Sequence, residues 1–130
     1  MSRILLDTNA YSALMAGDEA VFGALADAEC VYMSVIVLGE LHAGFRGGRK
    51  ANVNLARLSE FLRKPTVKTL SLTPETAEIF GEVKHALKTA GTPIPINDVW
   101  ISAHALQTGA RVVTFDKHFT MVAGLRTWEP

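Results

Sequence analysis

Cysteine is almost missing from this 130-residue chain: Cys30 stands alone. A disulfide within one chain and a cysteine-built zinc site are therefore excluded. Long apolar runs are missing too, and nothing approaches the roughly eighteen residues of a membrane span. Arg3-Ile4-Leu5-Leu6 begins like a signal peptide, but Asp7 breaks the run far too early. An excess of either charge is also absent, with 13 basic against 13 acidic side chains. Taken alone, that balance argues against a protein that coats nucleic acid non-specifically. Repeats, linkers and low-complexity segments are absent as well. The expectation is one domain over residues 1–130, in a reducing, cytoplasmic setting and away from membranes.

What is present suits a folded domain. Hydrophobic residues make up 48% and charged residues 20%. A chain of this length buries roughly two-thirds of its unfolded surface. The neutral total is an average over unlike parts. From Met1 to Glu40 six acids face one base, Arg3. From His42 to Lys68 seven bases (Arg46, Arg49, Lys50, Arg57, Arg63, Lys64, Lys68) face only Glu60. That basic stretch reads equally well as a phosphate-facing surface or as a solvated helix face.

Apolar runs and breakers divide the chain into alternating elements. Arg3 to Leu6 reads as a buried strand, Ala10 to Met15 and Ala20 to Ala28 as helices, and Val31 to Met33 as a strand. Ser34 caps a helix from Val35 to Phe45, and Ala51 to Leu62 is a further helix stopped by Pro65. Val67 to Leu72 is the third strand. Thr73-Pro74-Glu75-Thr76 starts a helix that runs to Ala90 and ends at Gly91. Thr92 to Ile96, with two prolines, reads as an extended loop bordering the site. Asn97 or a close neighbour caps a helix that runs to Thr108, Arg111 to Thr114 is the fourth strand, and Arg126 to Trp128 a last one. Short apolar strands alternating with helices predict an α/β fold, a three-layer α/β/α sandwich around a central, mostly parallel sheet. In such folds sites form beyond the carboxyl ends of the strands.

Four acids stand at such places: Asp7 after the first strand, Glu40 in the helix after the second, Asp98 at a helix start, and Asp116 after the fourth strand. Each has an ordinary alternative. Asp7 serves equally as an N-cap, Asp98 as a partner of the helix dipole, and Asp116 as the closure of an Asx-turn with Lys117 and His118. Glu40 is harder to explain, because Ile36, Val37, Ala43 and Gly44 surround it at helical spacing and no base of its own helix lies within a turn. Two carboxylates about 5 Å apart repel by roughly 3 kcal/mol at an effective dielectric near 20. If the four converge, protons or a cation must offset them, and oxygen ligands select magnesium or manganese. His42, His85, His104 and His118 show no close ligand spacing. Such a metal held by carboxylates is suited to phosphodiester hydrolysis.

Asp7-Thr8-Asn9, Gly39-Glu40-Leu41, the run Asn97 to Ala105 (NDVWISAHA) and Val112 to Phe119 (VVTFDKHF) together resemble the PIN domain. The resemblance covers essentially the whole chain as a single PIN domain, and in particular the chain resembles the stand-alone VapC-type toxins of toxin–antitoxin pairs. It implies an endoribonuclease using Mg2+ or Mn2+. By the same resemblance Asp7 and Asp98 are the main metal ligands and Asp116 contributes directly or through water. Glu40 orients the attacking water or binds the ion through it, and Asn9 and Thr114 hold the carboxylates by hydrogen bonds. It also implies an RNA substrate, a homodimer, and a small cognate antitoxin whose basic or apolar C-terminal segment fills the groove. Setting the four acids aside leaves nine acids against thirteen bases on the rest of the chain.

Other readings of the same acids fit less well. A receiver-type signalling domain needs an aspartate near mid-chain, where Arg49 to Leu58 has none. A haloacid-dehalogenase-type phosphatase needs a second aspartate at the place of Asn9. A non-catalytic module docking a basic peptide or a regulatory ion in its acidic groove is the remaining alternative. Trp100 and Trp128 read as packing residues rather than base-stacking platforms, and His118 as an exposed turn histidine.

Overall fold

The computed structural model describes residues 2–128, so Met1, Glu129 and Pro130 of the expected 1–130 unit lie outside the described residues. The strands are β1 (Arg3–Leu6), β2 (Cys30–Ser34), β3 (Val67–Leu70), β4 (Arg111–Val113) and β5 (Thr127–Trp128). The helices are α1 (Thr8–Met15), α2 (Glu19–Asp27), α3 (Val35–Arg46), α4 (Ala51–Leu62), α5 (Pro74–Ala90) and α6 (Ile96–Thr108), with a 3-10 turn at Lys117–Met121. The strand order is β3-β2-β1-β4-β5, and every pairing among the described residues is parallel. The expected α/β class and its layers are therefore present, with a sheet wholly rather than mostly parallel.

The apolar run of β1 explains its central place. Successive strand residues point to opposite faces, and Leu5 and Leu6 are both 0% exposed. Both faces must then be covered, which is the condition for a three-layer fold. Leu5 pairs with Tyr32 on one side and Val112 on the other. The chain builds outward from β1 through β2 to β3, then returns across β1 to lay down β4 and β5. Right-handed crossovers place the helices made before and after that reversal on opposite faces. The main core surrounds the sheet, and a smaller one (Val83, Leu87, Val99, Val122) binds α5 to α6.

Capping chemistry sets most helix starts. Carboxylates of Asp7 and Asp18 accept from Ala10 and Val21 amides, and Ser34 accepts from Ile36. Thr73 and Thr76 form a reciprocal capping box with Pro74 at the first turn. Gly91 and Gly109 close α5 and α6 in the left-handed region, φ 73° and 72°.

Several boundaries differ from the sequence expectation, each for a local reason. Because Asp7 is itself the cap, α1 begins at Thr8 rather than Ala10. β3 stops at Leu70, short of Leu72, because the Ser71 carbonyl is taken by His104 Nε2 at 3.0 Å. The extended loop ends at Pro95, which is the cap position of α6, so Ile96 and Asn97 are already helical and Asn97 is not the cap. β4 ends at Val113, and the Thr114 side chain turns to Asp7 and Asp116 instead.

Candidate active site

The reversal in strand order falls between β1 and β4, and a crevice at the carboxyl ends of two such strands is where ligands bind in parallel sheets. Asp7 follows β1 directly and is 5% exposed. Its Oδ1 accepts the Ala10 amide at 2.8 Å, and its Oδ2 accepts the Thr114 hydroxyl at 2.5 Å. Burial pushes its carboxyl above the usual range. The bonds from Thr114 and Ala10 pull it back, and the charges of Asp98 and Asp116 push it up again. So Asp7 is an N-cap, as the ordinary reading has it, and also a member of an acidic group.

Asp98 lies in the first turn of α6. Its carboxyl is raised first by burial, then lowered by a hydrogen bond from His118, and raised by the charges of Asp116 and Glu40. Asp116 caps the 3-10 turn: its Oδ1 accepts the His118 amide at 2.9 Å, which is the expected Asx-turn. Its own amide donates to Thr114 Oγ1 at 2.8 Å. Glu40 is half-buried, with Ala43 and Gly44 of its face exposed, so it sits at a rim rather than on a buried apolar stripe. Its Oε1 accepts the Thr8 hydroxyl at 2.5 Å, and its Oε2 accepts the Asn97 amide at 3.4 Å. Glu40 thereby joins the starts of α1 and α6.

The charges of Asp98 and Asp116 reach Asp7, and those of Asp116 and Glu40 reach Asp98, across four separate elements. The expected support from Thr114 is present. Asn9 is exposed and makes no side-chain hydrogen bond to a carboxylate among the described residues; Thr8 beside it does so instead. The hydroxyl immediately after Asp7 was the available signal for that role. His118 is exposed but not idle: its Nδ1 lies 3.3 Å from Asp98 Oδ2 and 3.1 Å from Asp116 Oδ2. The two-residue step from Asp116, which closes the Asx-turn, was its signal. His104, by contrast, is a core residue, bonded to Ser34 Oγ at 2.9 Å through Nδ1. Burial lowers its pKa, which favours the neutral ring.

Two carboxylates and one imidazole stand close enough to hold a divalent cation together. Ligand atoms of Asp98, Asp116 and His118 all lie within 4.8 Å of one another. Asp7 is raised by burial and by the charges of Asp98 and Asp116, and Asp98 by burial and by those of Asp116 and Glu40, as carboxylates without a full counter-charge are. The only ion pairs among the described residues are those of His118, so no lysine or arginine supplies it.

Comparison with known proteins gives consistent relatives. The family described as PIN domain matches residues 4–125. Ribonuclease VapC2 of Haemophilus influenzae is 34% identical over 96 residues, covering 73% of this chain and 71% of that protein. The structure of FitAcB from Neisseria gonorrhoeae has a TM-score of 0.82 and is 31% identical, covering 96% of each chain. VapBC-5 from Mycobacterium tuberculosis, a member of the VapBC family of toxin-antitoxin systems, has a TM-score of 0.70 at 25% identity, covering 99% of this chain and 98% of that one.

Proposed function

The chain belongs to the PIN-domain family, with VapC ribonucleases among its relatives, and we propose that it is a metal-dependent endoribonuclease toxin held in check by a small cognate antitoxin. The observation that carries this reading is the meeting of Asp7, Glu40, Asp98 and Asp116 near the strand-order reversal, with His118 beside two of them and no lysine or arginine ion pair among the described residues. In this reading residues 1–130 work as one PIN unit, in the cytoplasm and as a homodimer.

Asp7, Asp98 and Asp116 would hold Mg2+ or Mn2+, with Glu40 at its water. When bound, such an ion offsets charge on the phosphate and makes water a better nucleophile. The chain's own groups do the positioning. Thr114 keeps Asp7 and Asp116 in fixed register through one hydroxyl. Thr8 and Asn97 each hold one oxygen of Glu40, and its remaining lone pairs accept a hydrogen bond from the attacking water and aim it at phosphorus. Water adds to phosphorus, the bond to the leaving sugar oxygen breaks, and that oxygen takes up a proton.

The same unbalanced acids favour an inhibitor that brings a cation. An antitoxin with a basic or apolar C-terminal segment would set a lysine or arginine among them. This agrees with VapBC-5 being part of a toxin-antitoxin system. No helix among the described residues is long and apolar enough to cross a membrane.

The test is cleavage of cellular RNA by the purified chain with Mg2+ or Mn2+, repeated with Asp7→Asn and Asp98→Asn. Cleavage that both substitutions abolish, and growth arrest relieved by co-expressing the antitoxin encoded beside the gene, are the expected results. Undiminished cleavage by both variants would overturn the metal site.

A further inference from the structure

A slot of about 200 Å³ lies between α1, the end of α3 and α4, lined by Tyr11, Ser12, Met15, Phe45, Asn54 and Arg57. It gathers donors and apolar walls in one small volume. Arg57 is fixed across it by a 2.8 Å bond from Nη2 to the Met15 carbonyl. Tyr11 is 2% exposed and packs edge-on against Phe61, with ring centroids 5.3 Å apart. Its hydroxyl is the one buried side-chain polar atom without a hydrogen-bond partner among the described residues. Native interiors meet nearly all such groups, so an unmet one calls for an explanation.

The surroundings are cationic. Arg46, Arg49 and Lys50 are exposed where α3 passes into α4. Among the described residues no base between His42 and Lys68 enters an ion pair. The slot also lies near the acids in the fold: the Tyr11 amide donates to the Asp7 carbonyl at 3.0 Å, so Tyr11, which lines it, stands one turn, about 5 Å, along the helix that Asp7 caps.

We propose that this slot receives an unpaired base of the RNA strand, next to the phosphate that lies on the acids; the inference rests on the ribonuclease reading above. Asn54 and Arg57 offer donors to the acceptor-rich edge of a base, Phe45 and Met15 offer it apolar contact, and the unpaired cations follow the backbone. A base uses the cations, the donors and the apolar walls together.

The experiment measures binding by fluorescence anisotropy, in EDTA so that the strand stays intact. The probes are labelled oligo(A), oligo(C) and oligo(U), and an abasic ribose-phosphate strand of equal length and charge. The full chain is expected to prefer at least one base-bearing strand over the abasic one by about tenfold, the scale of one base contact. Asn54→Ala removes a donor and Ser12→Trp fills the slot. Both are expected to erase that preference while leaving abasic binding unchanged, and unchanged circular dichroism melts show that they fold. Equal binding of base-bearing and abasic strands would overturn the slot, as would a preference that survives both substitutions. Variants that keep the preference but lose the cognate antitoxin would overturn it in favour of a peptide occupant. A base preference without any metal-dependent cleavage would leave the slot standing and sink the ribonuclease reading instead.

Discussion

The hydroxyl of Thr114 donates to Asp7 Oδ2 at 2.5 Å, joining residues 107 positions apart. The same oxygen accepts the amide of Asp116 at 2.8 Å. One buried side chain thus sets the spacing of two acids on neighbouring strands. Thr114→Val keeps the shape, removes both bonds, and leaves a buried carboxylate oxygen unmet. We expect a loss of about 1–3 kcal/mol, seen as a melting point lower by several degrees, together with reduced RNA cleavage. Thr114→Ser restores both. A valine variant with full stability would show that the bond holds nothing in place.

Asp7→Asn separates the two duties of Asp7. Asparagine caps a helix about as well as aspartate, so the Ala10 contact survives while the charge goes. Burial and the neighbouring acids raise the Asp7 carboxyl above 3.8, so the folded state binds its proton more tightly than the unfolded chain does. Without metal, stability therefore falls as pH rises from that ordinary value through the raised one. In EDTA the asparagine variant is expected to be at least as stable as the parent at neutral pH, with a flatter pH profile. Cleavage is expected to fall by about 100-fold or more. Added Mn2+ should raise the melting point of the parent more than that of the variant.

His104 supplies a pH dependence of the opposite sign. Its pKa is lowered by burial, so the unfolded chain takes up the proton first as pH falls. The stability it contributes is whole above about pH 6.5 and is lost progressively below it. Denaturant titrations at pH 8 and pH 5 read this, and His104→Gln should remove the difference due to this group even if it is less stable throughout. An unaltered pH profile in that variant would assign the acid sensitivity elsewhere.

At the end of α6 away from Asp98, Thr76 is fully buried and donates to Gln107 Oε1 at 2.7 Å while sharing the capping box with Thr73. Thr76→Val is expected to cost about 1–2 kcal/mol in urea unfolding and to leave RNA cleavage intact. Loss of activity without loss of stability would contradict that division.

Much of this arrangement was legible in the residues because local chemistry and global fold agree. The apolar runs at Arg3–Leu6 and Arg111–Val113 could serve only in a sheet covered on both sides, and Thr73-Pro74 with Gly91 bounded α5 at both ends. The acids at strand ends and helix starts were legible for the same reason. What stayed hidden depended on contacts far apart in the chain. Nothing near Asn97 announces that its amide turns to Glu40 instead of capping α6. The helical pattern around Glu40 suggested a buried apolar face, whereas Ala43 and Gly44 are exposed because α3 presents that side to the rim of the crevice. Thr8 and Asn9 are both polar neighbours of Asp7, and only tertiary geometry chose the threonine.

The strand order has a consequence for how the chain is made. β1 emerges from the ribosome early, but its neighbour on the acidic side is β4, and Asp7 waits for Thr114 across that join. A nascent chain that has reached α5 holds Asp7 and Glu40 without Asp98 or Asp116. On the proposed reading, the acidic site is complete only once the returning strand is laid beside the first one, so translation itself times the moment at which an antitoxin becomes necessary.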